Sequence, residues 1–363
     1  MKNTLGSSVA VTIFGESHGE CIGAVIDGLA PGIIIDEDFI AHQLTLRRPA
    51  GKTGTKRVEK DDFRIVSGVF GGKTTGAPLC IIILNENVKS ADYEAFSGLV
   101  RPGHADYAAN CKYHGFEDYR GAGHFSGRLT AALVAAGAVA ISALKEKGIL
   151  IGTHIARCAG IDDANFTDYG KDIEKLNSMN FAVLDDKAAN DMKAAIEKAA
   201  AEGDSVGGIL ETAITGLEPG IGEPWFDTVE GMLSRALFSI PAVKGVQFGG
   251  AFEKTDLKGS KYNDPFVIKD GKIQTATNNN AGINGGITNG MPVIFSCAVK
   301  PTPSIFKEQK TVDINKMENS EIRIQGRHDP AIIHRARVVV DSVAALVICD
   351  LLAGRYGTDY LGE

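Results

Sequence analysis

The sequence predicts an α/β protein of the α+β type, a single compact β-α-β-α sandwich with antiparallel-rich sheets packed on helices. Short β-branched runs alternate with glycine turns, two long segments are apolar enough to be buried helices, and no low-complexity linker divides the chain. A chain of 363 residues can form one domain or two. Because no linker is visible, we predict one domain over residues 1–363.

The first elements are predicted around a glycine-rich turn. Residues 9–14 and 21–27 are β-branched runs on either side of GESHG, which predicts a strand, a tight turn and a returning strand. Residues 37–48 predict a helix that Asp36 caps and Pro49 ends, with arginines in its last turn. Strands are expected at 63–70 and 78–84, and the segment 101–115 predicts a loop that enters a helix.

The remaining elements are dominated by apolar helices. Segment 127–147 is rich in Ala and Leu and almost uncharged, which predicts a helix buried on all sides and closed by Gly148. A polar stretch covers 160–185. We then expect helices at 186–202 and 226–239, and strands at 206–216 and 243–250. A Gly- and Asn-rich segment, 277–290, precedes a strand at 291–299, and a last apolar helix covers about 338–353.

Composition and charge exclude several classes of function. The chain carries 45 acidic and 38 basic side chains, so its net charge of −7 provides no general field for nucleic acid or membrane. Any anion must therefore be held by a local cluster. The six cysteines form no C-x-x-C pair, which favours reduced thiols over a disulfide framework. With no signal-peptide pattern and no apolar run of about 18 residues, we expect a cytoplasmic enzyme without nucleic-acid or membrane partners.

The segment GESHG at residues 15–19 formally matches the nucleophile elbow of serine hydrolases, G-x-S-x-G. An elbow requires a strand before it and a helix after it. Here a strand-like run with Gly23 inside it follows, so Ser17 lacks that context. Taken alone, the segment is equally compatible with a structural glycine turn that happens to carry His18.

A second segment, RPGHAD at 101–106, places His104 in another glycine turn beside an arginine. A lone histidine is more often structural, but two histidines that can titrate near neutrality suggest an acid–base pair. Downstream, YRGAGHFSGR at 119–128 has glycines that let backbone N–H groups approach a ligand. Its place before the long buried helix suggests an anion site, although a glycine-rich loop alone is a weak signal.

The third group combines GGITNG at 285–290, KPTPS at 300–304 and GRHDP at 326–330, with Arg335 following. Basic residues beside exposed backbone suit a phosphorylated, multiply anionic ligand, since guanidinium groups match carboxylate and phosphate. A solvated surface would interleave these arginines with acids in helical register, whereas here they adjoin Gly and Pro. Asp329 is either a structural partner of the arginines or a catalytic base, and spacing leaves both open.

In order and spacing, these motifs resemble the signatures of the chorismate synthase family. The resemblance spans residues 15 to 336 and includes GVFGGKTTGAP at 68–78 and SIPAVKGV at 239–246. It implies a lyase of the shikimate pathway, and so of aromatic amino-acid biosynthesis, that converts 5-enolpyruvylshikimate 3-phosphate to chorismate and phosphate. This anti 1,4-elimination requires reduced FMN without net redox change. The resemblance also implies a homotetramer.

Residue roles follow from the same motif match. The resemblance implies that His18 protonates the leaving phosphate, that His104 keeps the reduced flavin in its working protonation state, and that Asp329 helps to move the substrate proton. Both histidines are then expected to have pKa values near neutrality. The groups implied to hold the substrate's carboxylates and phosphate are Arg48, Arg101, Arg128 and Arg335.

The positions implied to bind FMN come from distant segments: His124, Phe125, Ser126, Pro241, Ala242, Gly285, Lys300, Pro301, Thr302, Pro303, Ser304 and Arg327. Arg47 and Thr53 match positions linked with a nicotinamide dinucleotide in some members. No metal is implied. His124 and Phe125 depart from the family, since many members carry Arg and Ser there.

Two other flavin-dependent functions must be weighed. One is a flavin oxidoreductase that reduces FMN with NADPH, an activity that some family members combine with the lyase. No G-x-G-x-x-G follows a strand here, so we expect no NADPH activity and an external source of reduced flavin. The other is a non-catalytic flavin-binding protein, which would not need two histidines and several arginines in one pocket.

Overall fold

The computed structural model describes residues 2–49, 60–86, 98–324 and 328–362. Two five-stranded sheets, both antiparallel, frame the protein. The N-terminal sheet has the strand order Thr4–Leu5, Ala10–Gly15, Cys21–Asp27, Leu79–Leu84 and Phe63–Ser67. The C-terminal sheet has the order Val243–Phe248, Val293–Val299, Gly208–Thr215, Leu150–Cys158 and Ile161–Asp162. Within the described residues, the remaining strands form four two-stranded hairpins: Val69–Phe70 with Lys73–Thr74, Phe266–Lys269 with Lys272–Thr275, Ile283–Asn284 with Ile287–Thr288, and Gln309–Asp313 with Glu318–Ile322.

A helical layer separates the two sheets. Helix Thr130–Glu146 packs on the N-terminal sheet and on helix Ile333–Tyr356, which in turn packs on the C-terminal sheet. Glu37–Arg47 and Val229–Leu237 complete this layer, while Tyr169–Asn177 and Asp186–Ala201 pack with the C-terminal sheet. Two shorter helices, Asp106–Tyr113 and Gly259–Tyr262, belong to loops, and 3-10 turns occupy Arg120–Phe125, Gly127–Leu129 and Thr358–Leu361.

Alternation along one central strand fixes the order of the layers. Thr153 donates a hydrogen bond of 2.6 Å to the buried carboxylate of Asp341 in the helical layer. On the opposite face, a Cβ at Gly152 would lie 2.9 Å from the side chain of Ile173 in the outer helix. Successive strand residues point to opposite faces, so helices cover both sides of this sheet. The β-α-β-α sandwich predicted from the sequence is confirmed.

The two central helices approach each other closely at Gly137. A Cβ added there would lie only 2.2 Å from the Cβ of Ser342, so a side chain at this position would push the helices apart. Both helices are buried over nearly their whole length, as their apolar sequences predict. Asp36 caps the first helix as predicted, since its carboxylate accepts from the backbone N–H of Phe39 at 2.9 Å.

Several sequence predictions need correction. No strand was predicted from the sequence at Leu150–Cys158, which is a central strand of the second sheet. The stretch at 160–185 contains a helix, Tyr169–Asn177, whose Ile173 and Leu176 are buried. The last helix is longer than 338–353 and runs from Ile333 to Tyr356. The segment at 127 begins as a 3-10 turn, and the α-helix starts at Thr130.

Among the described residues, one helical stretch is long and apolar enough to cross a membrane, Gly127–Glu146. This is the central helix of the sandwich, and 78% of its most apolar window is buried inside the protein. Its hydropathy is therefore accounted for by the core that it helps to form.

Candidate active site

A cavity of about 1420 Å³ opens where loops from both halves of the sandwich meet. Its described walls contain eight Lys and Arg side chains and four Asp and Glu side chains, although the whole chain is acidic. This is the local cationic cluster that the sequence requires for an anionic ligand. Most of the residues singled out by the motifs line it: His18, Arg47, Arg101, His104, His124, Phe125, Ser126, Arg128, Pro241, Ala242, Lys300, Thr302, Pro303, Ser304, Asp329 and Arg335.

His18 reaches the cavity on the turn that joins the strands Ala10–Gly15 and Cys21–Asp27. Because a strand follows the turn, the serine-hydrolase alternative is excluded for Ser17. The imidazole of His18 packs on Gly121, where a Cβ would lie 2.2 Å from the ring. Ser17 donates its backbone N–H to the carbonyl of Gly123 at 3.0 Å. The turn is thus docked on the glycine-rich loop 119–128.

His104 lies where the RPGHAD turn meets the KPTPS segment. Its Nε2 shares a hydrogen bond of 2.6 Å with Oγ of Ser304, and Nζ of Lys300 donates to the carbonyl of Gly103 at 2.6 Å. Arg101 is held in place by Asp106, which accepts from its Nε and its Nη2 at 2.7 Å each. Two motifs separated by about 200 residues therefore form one wall.

Burial and neighbouring cations favour the neutral form of the His104 imidazole. Burial, followed by the charges of Arg101 and Lys300, lowers the pKa of His104 to about 4. We expected a value near neutrality, and the difference arises chiefly from burial of the imidazole, with a further contribution from the Arg101 and Lys300 charges that Asp106 partly offsets. An anionic ligand between these cations would oppose their effect and raise the pKa of His104.

Asp61 organises three arginines on the opposite wall. Its carboxylate has no exposed surface, accepts from Nη2 of Arg47 at 3.1 Å, and pairs closely with Nη1 of Arg128. Nε of Arg48 lies 3.8 Å away. Burial disfavours the charged carboxylate, but the Arg47 and Arg128 charges outweigh burial and lower the pKa of Asp61. A charged carboxylate at this point makes it possible to bury two guanidinium groups together.

Asp329 and Arg335 form a close ion pair beside this cluster, with both side chains largely buried. Arg335 also donates from Nε to the backbone carbonyl of Arg47 at 2.7 Å. The GRHDP segment is thereby tied to the end of helix Glu37–Arg47. The sequence left Asp329 as either a structural partner or a base, and its position allows both, since it pairs with an arginine and also lines the cavity.

The loop 119–128 forms the floor between these walls. Nδ1 of His124 donates to the carbonyl of Gly15 at 2.8 Å, and its Nε2 lies 3.3 Å from Oδ1 of Asn3. The histidine that departs from the family pattern therefore holds the first glycine of the His18 turn. Ser126 caps the following 3-10 turn by accepting from the backbone N–H of Arg128 at 3.3 Å.

The cavity also has features that suit a flavin. Oγ1 of Thr302 is buried without a hydrogen-bond partner within the part of the chain that the structure describes. Gly127 borders open space where a Cβ would stand, and Phe125 presents a half-exposed aromatic ring. Ala242 has a positive φ of 74° and accepts from the backbone N–H of Lys300 at 3.0 Å. Unpaired polar atoms, backbone groups and an aromatic ring are what a ring cofactor with a phosphate needs.

Some positions implied by the resemblance lie elsewhere. Gly285 is exposed at the tip of the hairpin that pairs Ile283–Asn284 with Ile287–Thr288. Pro301 is exposed, Nε of Arg48 lies 3.8 Å from Asp61, and neither residue is among those that line the described cavity. Thr53 and Arg327 lie outside the described residues.

Sequence reasoning missed two further kinds of residue. Asp61 and Asn85 carry buried or bridging hydrogen bonds to Arg128, and neither belongs to a motif singled out from the sequence. Arg235 and Lys244 line the cavity as additional cations. The motif SIPAVKGV contains Lys244, so attention to the charge within that motif could have found it.

The chain matches the family model described as chorismate synthase over residues 9–353. It is 46% identical over 353 residues to a chorismate synthase of Dehalococcoides mccartyi, which covers 97% of this chain and 96% of the relative. It is 45% identical over 347 residues to a chorismate synthase of Korarchaeum cryptofilum, covering 95% and 96%. Motif spacing and overall similarity therefore agree.

A crystal structure of a chorismate synthase superposes on the chain with a TM-score of 0.77 at 27% identity, covering 98% of this chain and 94% of that one. The overall fold of the chain thus recurs in that structure. The family model, the relatives and this structure together show that the chain belongs to the chorismate synthase family, whose members are lyases of the shikimate pathway that use a flavin.

Proposed function

We propose that the cavity binds 5-enolpyruvylshikimate 3-phosphate beside reduced FMN and eliminates phosphate in an anti 1,4 sense to give chorismate. The observation that carries this proposal is the convergence of His18, His104 and Asp329 on one cavity rich in arginine. Its volume of about 1420 Å³ exceeds the roughly 300–1,000 Å³ of a pocket for one small molecule. The space is sufficient for a substrate and a cofactor together.

The guanidinium groups supply the anchors for the anionic substrate. Arg101, Arg128 and Arg335 line the cavity, and each is oriented by a carboxylate: Asp106, Asp61 and Asp329. Such pairing fixes one side of the guanidinium fork, so its remaining N–H groups are presented at a defined angle. Arg48 does not line the described cavity, but its Nε lies 3.8 Å from Asp61, so its positive charge adds to those of Arg47 and Arg128.

His18 is proposed to deliver a proton to the departing phosphate. Its turn is fixed by backbone contacts with the loop 119–128, which limits its motion relative to the arginines. A general acid contributes only when it is held within hydrogen-bond reach of the oxygen that it protonates. A rigid turn beside anion-binding side chains provides that condition.

His104 is proposed to control protonation at the cofactor. As a neutral ring it can donate or accept through Nε2, and Ser304 fixes that nitrogen at 2.6 Å. Asp329 lies on the same cavity and is proposed to help move the proton that the substrate loses. Ligands that fill the cavity would displace water that competes for these protons.

FMN is proposed to bind along the loop 119–128 and the KPTPS segment, near Pro241 and Ala242. When bound, the reduced flavin supplies electron density to the substrate as its allylic C–O bond breaks. Thr302, with its buried hydroxyl, and Lys300, with its charge, are placed to hold polar parts of the cofactor. Gly285 and Pro301 are exposed and do not line this cavity, so they are proposed to contact FMN in the cavity of a neighbouring subunit.

We propose that the protein is a homotetramer, because some residues implied to bind FMN do not line the cavity of their own chain and because an apolar hairpin is exposed. The hairpin of Phe266–Lys269 and Lys272–Thr275 exposes Phe266, Ile268 and Ile273 to about 70–80% of their surface. Apolar side chains on a projecting hairpin are typical of an interface between subunits. Light scattering of the purified protein should give four times the chain mass of 38.4 kDa.

The reducing environment of the cytoplasm is the proposed location. All six cysteines are free thiols, and burial raises the pKa of Cys158 to about 11 and that of Cys297 to about 12. Reduced flavin is proposed to come from an external source. Oxidised FMN with NADPH and no other reductant should therefore give no chorismate.

The decisive experiment is an anaerobic assay with dithionite-reduced FMN and the enolpyruvyl substrate. Chorismate absorbance and phosphate release are expected to rise together in equal amounts. A folded tetramer that forms neither product would refute the proposed reaction, and product formed with NADPH and oxidised FMN would refute the external flavin source.

A further inference from the structure

Asn85 occupies the position directly after the strand Leu79–Leu84, between the His18 turn and Arg128. Its side-chain amide nitrogen donates to the carbonyls of Glu16 at 2.9 Å and Gly19 at 3.0 Å. Its amide oxygen accepts from Nε of Arg128 at 3.1 Å. A single side chain therefore contacts both ends of the turn and an arginine of the cavity wall.

The chemistry of these partners fixes the orientation of the amide. Two carbonyl oxygens can only accept, and the guanidinium of Arg128 can only donate, so the nitrogen and oxygen of Asn85 cannot exchange places. Asparagine is the shortest side chain that supplies both a pair of donors and an acceptor. Asp would lose the donors, and Ala would lose both functions.

Arg128 is also bound on its other side. Nη1 pairs with Asp61, and Nη2 lies 3.4 Å from the carbonyl of Leu84. Asp61 thus sets where the guanidinium lies in the wall, whereas Asn85 sets where the turn lies relative to that guanidinium. Ser17 and His18 dock the turn on Gly123 and Gly121 of the loop 119–128. Asn85 adds a direct link between the turn and the guanidinium of Arg128.

We propose that Asn85 is a positioning residue for the lyase reaction. It holds the turn that carries His18 at a fixed distance from Arg128, so that the proton donor and the anion anchor address the same phosphate. The inference rests on the proposed function, since it assigns these roles to His18 and Arg128. A displacement of about 1 Å between reacting groups can cost about 100-fold in rate.

The test is Asn85→Asp in the tetrameric protein with reduced FMN. The carboxylate still accepts from Arg128 but faces the carbonyls of Glu16 and Gly19 without a proton to donate. We expect kcat to fall about 10- to 100-fold. KM should rise by a smaller factor, because the added carboxylate also offsets the charge of Arg128. Asn190→Asp makes the same change at an exposed position of helix Asp186–Ala201 and should leave both constants unchanged.

A readout independent of turnover keeps the inference separate from the proposed function. The ring signals of His18 in an NMR spectrum should move in Asn85→Asp and remain in place in Asn190→Asp. If the wild type lacks lyase activity, the proposed function fails, and these signals still decide whether Asn85 controls the turn. If the wild type is active, a kcat for Asn85→Asp within twofold of wild type overturns the inference, as does a loss carried entirely by KM.

Asn85→Ser provides a second variant if Asn85→Asp does not fold. A serine hydroxyl can donate to only one of the two carbonyls, so a smaller fall in kcat, about 3- to 10-fold, is expected with near-UV circular dichroism unchanged. A folded serine variant with wild-type kcat and unmoved His18 signals would contradict the role assigned to Asn85.

Discussion

Two histidines, one in the cavity wall and one in the C-terminal sheet, have pKa values that are shifted in opposite directions. His104, in the cavity, lies among cations, and burial together with Arg101 lowers its pKa to about 4. His154, in the outer face of the C-terminal sheet, lies 2.7 Å from Asp163 and 3.3 Å from Glu211. Burial disfavours its charge, but these hydrogen bonds outweigh burial and raise the pKa of His154.

The difference separates a functional environment from a structural one. Asp163 has no exposed side-chain surface and also accepts from the backbone N–H groups of Leu184 and Asp185, so the His154 cluster satisfies its own charges. Around His104, the two cations Arg101 and Lys300 outnumber the single carboxylate of Asp106, and all three residues line the cavity. A site that is complete without a ligand stabilises the fold, whereas a site with uncompensated charge is prepared for an anion.

The largest expected effect is a difference in activity between alanine variants of His104 and His154. His104→Ala should lower kcat roughly 10²- to 10⁴-fold, because it removes a proposed acid–base group. His154→Ala should leave kcat within about twofold but lower the free energy of unfolding by about 3–5 kcal/mol, since Asp163 loses its buried partner. Steady-state rates and chemical unfolding of both variants measure these changes. Equal activity loss in both would remove the distinction between the two sites.

The second comparison is between two buried carboxylates: Asp61, beside the arginines of the cavity wall, and Asp163, beside His154. Asp61→Asn should raise KM about 10-fold or more, because an amide cannot accept from Arg47 and Arg128 together. Asp163→Asn should change only stability. Asp62→Asn, at an exposed neighbour of Asp61, is the matched control and should leave KM and the unfolding midpoint unchanged. A lower KM in Asp61→Asn would mean that Asp61 competes with the substrate and does not orient the arginines.

The sequence allowed the fold to be predicted wherever periodicity was strong. The apolar central helix and the β-branched strands at 21–27 and 79–84 formed as expected. The helix Tyr169–Asn177 was missed because only Ile173 and Leu176 are buried in an otherwise polar segment. Local patterns identified these long apolar elements, but they missed the buried strand Leu150–Cys158 as well as this largely polar helix.

The candidate site was predicted through motifs, and the supporting residues could not be. Asp61 lies 67 positions from Arg128 in the sequence, and Asn85 lies 43 positions from it. Each is an ordinary polar residue at a strand boundary, and only tertiary contact gives it a partner. The depressed pKa of His104 also depends on Lys300, which no local pattern connects with it. Roles that depend on long-range charge emerge only with the fold.

The smallest expected effect is the pH dependence of stability at His154. A raised pKa means that the folded protein binds this proton more tightly than the unfolded chain does. The contribution of His154 is therefore present in full below the unfolded value of about 6.5 and is lost as the pH rises through the higher folded pKa.

His154→Gln should accordingly destabilise the protein more at pH 6 than at pH 9. Urea unfolding of wild type and variant at both pH values measures the difference. His42→Gln, at an exposed position of helix Glu37–Arg47, is the control and should show the same small effect at each pH. A destabilisation by His154→Gln that is equal at pH 6 and pH 9 would show that the imidazole stabilises this face by packing against Phe166, 4.8 Å away, and not by charge.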